Sequence, residues 1–176
     1  VMKYPDLFAR TFVCFSFGKV YNCTGWKLGY CVAPSALTAE FRKIHQFDAF
    51  CCFTPTQVAL ATHLQKEERY LQLSSFMQQK RDLFLHEMKA SPFTMLNSSG
   101  SYFVCATYEK LGEMPAMELA IQLTKTIGVA TIPVAAFYAD GNDDQVLRFC
   151  FAKRDETLQE AAKKLSRIAH MADVFQ

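Results

Sequence analysis

Ser16-Phe17-Gly18-Lys19 and, a few positions on, Thr24-Gly25-Trp26-Lys27-Leu28-Gly29 make a polar, glycine-bearing link between two short apolar runs. The first run, residues 11–16, is rich in β-formers. The second, Leu28 to Ala33, stops at Pro34. Both read as strands. Loops at strand ends of α/β sheets are where ligands bind. A glycine beside Lys19 gives the backbone unusual freedom or lets a ligand approach closely. Ser16 has a hydroxyl to offer a phosphate oxygen, and Lys27 a compensating charge. Lys19 is then free for covalent work, as a desolvated amine near a second cation. On residue chemistry alone the ordinary reading, solvated lysines among turn-forming glycines, stays the favoured one.

Outward from that link, Ser35 is placed to cap a helix running to about Phe50. Thr54-Pro55-Thr56-Gln57 has the threonine, proline and glutamine of a strong helix start. A long helix is expected over roughly 67–90, with Tyr70, Leu73, Met77, Phe84 and Met88 along one face. Phe93–Leu96 and Tyr102–Ala106 read as strands about a turn at Asn97-Ser98-Ser99-Gly100. A helix at about Pro115–Ile127 should end at Gly128, followed by a brief strand Val129–Thr131. A strand Val146–Ala152 and a helix capped by Asp155 close the chain, with Leu158, Ala162, Leu165 and Ile168 on one stripe. Alternating strands and helices predict an α/β protein. Its first two strands are too few for an ordinary sheet, so they are expected to complete one begun upstream. The expected division is 1–66 and 67–176.

Composition narrows the function. Of 176 residues, 51% are hydrophobic and 20% charged, a globular mixture with a net charge of only +2. Scattered lysines and arginines argue against nucleic acid as a partner, and no apolar run is long enough for a membrane span. Seven cysteines lie mostly inside apolar runs with no C-x-x-C pair, which favours reduced core thiols in a cytoplasmic protein over a disulfide framework or a metal site. Arg148, mid-strand in Val146-Leu147-Arg148-Phe149-Cys150-Phe151, either faces outward or needs an anionic partner for its planar fork.

Ser16-Phe17-Gly18-Lys19, Tyr21 and Thr24-Gly25-Trp26-Lys27 with Gly29-Tyr30 resemble the lysine motif of fold-type I, class I/II aminotransferases that use pyridoxal 5'-phosphate (PLP). The likeness is strongest to the kynurenine and methionine aminotransferase branch. It continues through Ile44-His45-Gln46, Thr54-Pro55-Thr56-Gln57, Gly100-Ser101-Tyr102-Phe103, Val129–Val134 and Leu147–Lys153, in family order. The resemblance implies the end of the large mixed-sheet PLP-binding domain over 1–66, and the small C-terminal α/β domain over 67–176. It implies a Lys19 Schiff base with the cofactor, Ser16 and Lys27 on its phosphate, and Arg148 on the substrate α-carboxylate. No metal is implied. The reaction implied moves an amino group from an aromatic or sulfur-containing amino acid to a 2-oxo acid, in a homodimer.

Relatives carry further cofactor residues upstream of the lysine, and only 18 residues precede Lys19. The chain is therefore expected to be a fragment, inactive when isolated. Two other readings share the motif: a cysteine-conjugate β-lyase at the same site, and a non-catalytic aminotransferase-like sensor module. Keto-acid dependence separates the first from a transaminase, and the upstream sequence separates the second.

Overall fold

The computed structural model describes residues 1–170. It divides into two compact units, Val1–Leu73 and a second beginning at Ser74.

In the first unit a short helix α1 (Pro5–Phe8) precedes β1 (Val13–Ser16), a one-turn helix α2 (Phe17–Val20) and β2 (Gly29–Val32). Helices α3 (Ser35–Asp48), α4 (Thr54–Leu64) and α5 (Glu68–Leu71) follow. Strands β1 and β2 pair antiparallel, from Val13↔Val32 to Ser16↔Gly29. Phe15 and Tyr30 stack across the pair with ring centroids 4.8 Å apart, a cross-strand contact of the kind that fixes register.

Three local expectations change here, one of them at Ser35, which is the first residue of α3 rather than its cap and makes no capping hydrogen bond. Lys19 lies in the helical turn α2 rather than in a loop, because the Ser16 hydroxyl oxygen accepts the Gly18 N–H and starts a turn. Thr54 does not cap α4 with its side chain; the start of this helix is tied by Thr56 Oγ1 donating to Phe53 O and Gln57 Nε2 donating to Cys52 O.

The second unit holds α6 (Leu73–Glu87), β3 (Thr94–Met95), β4 (Phe103–Thr107), α7 (Ala116–Gln122), β5 (Ile132–Pro133), β6 (Val146–Cys150) and α8 (Asp155–Ser166). The sheet order is β3-β4-β6-β5, with every neighbouring pair antiparallel. The helix expected over 67–90 is broken at Gln72, between α5 and α6; the sequence carries no glycine or proline there to explain the break. Beyond α7 the chain continues in a π-helical stretch, Leu123–Ile127, and ends as expected at Gly128, whose φ of +74° is the left-handed geometry glycine tolerates. The brief strand falls at Ile132–Pro133 instead of Val129–Thr131. Asp155 is the first residue of α8 rather than its cap, and its carboxylate pairs with Lys80.

The core of this unit lies on one face of the sheet. Along β4 and β6, Val104, Ala106, Leu147 and Phe149 point inward, and the stripe Leu158, Ala162, Leu165 and Ile168 covers them together with Phe84, Met88 and Leu119. The alternate residues Phe103, Cys105, Thr107, Val146 and Arg148 occupy the other, half-buried face.

Candidate functional site

Ser16, Gly18, Lys19, Thr24, Lys27, Leu28 and Gly29 line one cavity of about 290 Å³ in the first unit. Three sequence-chosen residues, Ser16, Lys19 and Lys27, therefore meet at one place. The ladder supplies Ser16 and Gly29 as a directly opposed pair, and α2 carries Lys19 one turn beyond. The return to β2 is short because it is bonded back onto α2: the carbonyl of Gly18 accepts the Cys23 N–H at 2.9 Å and the Thr24 hydroxyl at 3.2 Å.

Glycine matters here for space. A Cβ on Gly18 would stand 2.9 Å from the Thr24 Cα, and one on Gly29 would run into the Phe15 carbonyl oxygen. Neither glycine has a positive φ; the left-handed residue of the pocket is Lys27, at φ +51°. That conformation costs a lysine roughly 1 kcal/mol or more and persists only where surrounding structure dictates it.

The pocket's chemistry is that of an anion site. Ser16 Oγ accepts the Gly18 N–H at 3.2 Å, which leaves its own O–H to donate. Among the described residues, neither Lys19 nor Lys27 has a carboxylate partner. Two ammonium groups and a hydroxyl around one hollow fit a phosphate with an electrophilic carbonyl within reach of the second amine. The donor set and the glycine-lined cradle thus match a phosphorylated aldehyde such as pyridoxal 5'-phosphate. No group of three or more metal-ligating side chains occurs among the described residues.

Arg148 belongs to the second unit, on β6. Cys105 and Ile132 stand opposite it on the neighbouring strands, and its guanidinium lies 4.5 Å over the Phe103 ring, a cation–π contact that holds the planar fork flat. It has no ion pair among the described residues. Burial raises the Cys105 thiol above its ordinary value and the Arg148 charge pulls it partly back. A half-buried arginine held by an aromatic face and lacking a carboxylate is equipped to bind one.

Other aromatic and histidine side chains find ordinary places. His45 packs against Phe41 in α3, Tyr138 donates to Asp144 at 3.0 Å, and Phe50, Phe53 and Phe137 are exposed. Thr24 and Gly29 as pocket walls, and Phe103 as the support of Arg148, are contributions that motif spacing does not reveal.

The sequence model of the family described as aminotransferase class I and II matches residues 1–165. The chain is 41% identical to the methionine aminotransferase of Escherichia coli (strain K12), over 96% of this chain and 44% of that protein. It is 30% identical to the kynurenine–oxoglutarate transaminase of Dictyostelium discoideum, over 93% of this chain and 43% of the other. Among solved structures, YbdL from Escherichia coli, described as having a methionine aminotransferase function, superposes with a TM-score of 0.88 at 41% identity, covering 94% of this chain and 44% of that one. N-succinyldiaminopimelate aminotransferase from Mycobacterium tuberculosis does so with a TM-score of 0.83 at 34% identity, covering 94% and 44%. The chain thus spans less than half the length of these relatives.

Proposed function

Because the chain belongs to the class I and II aminotransferases, a PLP-dependent family, we propose that its first unit holds pyridoxal 5'-phosphate and that the whole protein is a transaminase. Residues 1–66 are the end of its PLP-binding domain and 67–176 its small domain. The observation that carries this is the pocket in which Ser16, Lys19 and Lys27 converge without a carboxylate to neutralise either lysine. In this reading an aromatic or sulfur-containing amino acid gives its amino group to a 2-oxo acid. The names of the methionine and kynurenine relatives support that substrate class.

Each residue has a physical task. Ser16 donates its hydroxyl proton to a phosphate oxygen, and Lys27 supplies charge that a left-handed backbone aims into the hollow. Lys19 Nζ would hold the cofactor and, as an amine free of any carboxylate partner among the described residues, would take up the proton from the substrate Cα as general base. Arg148 binds the substrate α-carboxylate through both arms of its fork. When bound, the cofactor supplies the electron sink that makes that Cα–H acidic.

The same proposal includes a homodimer in the cytoplasm. The cysteines are not the core thiols expected from their apolar runs, because Cys14, Cys51 and Cys150 are exposed and Cys23, Cys31, Cys52 and Cys105 half-buried; no helix among the described residues is long and apolar enough to cross a membrane.

The test is covalent capture. The chain is incubated with pyridoxal 5'-phosphate, reduced with borohydride and mapped by mass spectrometry. The adduct is expected on Lys19, lost in Lys19→Ala and weakened in Lys27→Ala with recovery in Lys27→Arg. Equal labelling of several surface lysines, unchanged by Lys19→Ala, would refute the site.

A further inference from the structure

The strand pair that bears the pocket also sets two cysteines face to face. Cys14 on β1 is directly opposite Cys31 on β2. The Phe17 N–H donates to Leu28 O at 3.1 Å, so Phe17/Leu28 is a hydrogen-bonded pair of the antiparallel ladder. Alternation then makes Ser16/Gly29 and Cys14/Cys31 non-hydrogen-bonded pairs. Pairs of that kind hold their Cα atoms about 4.5 Å apart with side chains on one face, inside the roughly 4.4–6.8 Å that a disulfide bridges.

Three further observations agree. Phe15 and Tyr30 stack on the opposite face, which fixes the register that places the thiols together. Burial and then the neighbouring Cys14 thiol raise the Cys31 thiol above its ordinary value. The other strand cysteines lack such a partner: Cys105 stands opposite Arg148 and Cys150 opposite Phe103.

We propose that Cys14 and Cys31 are a reversible dithiol–disulfide site whose oxidant is a low-molecular-weight disulfide of the glutathione type. One cysteine thiolate attacks a sulfur of that disulfide, forms a mixed disulfide and expels one small thiol. The second cysteine thiolate attacks the protein sulfur of the mixed disulfide and expels the other. The two cysteines lose two electrons and two protons, which leave in the two small thiols. Cys14 shares its strand face with Ser16, and Cys31 with Gly29, so the bridge braces the ladder one same-face step from the pocket. The inference rests on the ladder alone and is independent of the cofactor.

The reduced 176-residue chain is treated with oxidised glutathione at about pH 7 to 9, alkylated and digested with trypsin without reduction. The expected product joins the peptide Thr11–Lys19 to Leu28–Arg42, while the seven titratable thiols fall by two and return with dithiothreitol. Linking should speed up with pH, since the Cys31 thiol is raised. Cys14→Ser and Cys31→Ser, checked for native circular dichroism, should each abolish the link. Separate, stable mixed disulfides on Cys14 and Cys31, both thiols staying free, or Cys14 joined to another cysteine would each overturn the proposal.

Discussion

The second unit closes Phe84, Leu119, Leu147, Phe149, Leu158 and Leu165 around one core, whereas the first buries Leu60 alone among its described hydrophobic side chains. The first unit leaves Phe47 85% and Phe50 78% exposed. Yet the cavity with the two lysines lies in that first unit. Its geometry is held by backbone: the β1–β2 ladder, and the Gly18 carbonyl accepting from both Cys23 and Thr24. The difference separates two jobs. One unit stabilises itself by burial; the other presents chemistry on a hydrogen-bonded frame that leaves apolar side chains exposed.

The largest expected effect tests this contrast directly. Leu119 is fully buried, and Leu119→Ala should cost the second unit about 2–5 kcal/mol. Phe47→Ala, at a side chain mostly in solvent, should stay within about 0.5 kcal/mol. Urea unfolding followed by amide exchange separates the units, and Trp26, the single tryptophan, reports on the first. A Phe47→Ala variant as damaged as Leu119→Ala would erase the contrast.

A smaller effect is expected where the second unit ties its polar groups. The Asp143 carboxylate accepts the Ala116 N–H at 2.7 Å and the Gln145 N–H at 2.9 Å. It thereby serves the start of α7 from a distant loop, while Pro115, the residue before that helix, offers no side-chain cap. Asp143→Ala should cost roughly 0.5–2 kcal/mol, with Asp143→Asn recovering most of it, as measured by thermal unfolding. An unchanged midpoint in Asp143→Ala would show that the first turn of α7 finds another acceptor.

That capping aspartate also marks where sequence reading stops. The strands β1, β2, β4 and β6, the α8 stripe and the end at Gly128 were legible because each follows from residues adjacent in sequence or in helical period. Caps were not: at Thr54 and Asp155 the expected side-chain cap gave way to partners such as Cys52, Phe53 and Lys80. The pocket was half legible. Ser16, Lys19 and Lys27 stand out through the family motif, since residue type alone favoured solvated lysines, and the reason they converge is tertiary. Gly18 had to admit Thr24, and the left-handed turn fell on Lys27 rather than on a glycine. For Arg148 the sequence left an outward face and an anionic partner both open, while Phe103 beneath it depends on the β4–β6 register, which no local pattern specifies.

The smallest effect at neutral pH appears only in alkali and again distinguishes the units. Tyr108, fully buried in the second unit, donates its hydroxyl to Met114 O at 2.8 Å. Burial, and then the nearby Asp143 charge, push its phenol up to about 12. Tyr21 in the first unit is also raised, chiefly by burial. The folded protein therefore keeps the Tyr108 proton at pH values where the unfolded chain, with an ordinary tyrosine value of about 10, has released it. The folded state binds more protons in that window, so stability is intact below pH about 10 and falls as pH rises toward 12. Tyr108→Phe should flatten this decline in the second unit at the cost of one hydrogen bond, about 1 kcal/mol at neutral pH. Asp143→Ala should flatten it in part, by removing the charge that opposes the phenolate. Equilibrium unfolding from pH 8 to 12, with the second unit followed by amide exchange, provides the measurement. A slope that survives Tyr108→Phe unchanged would move the alkaline sensitivity to Tyr21 and the first unit.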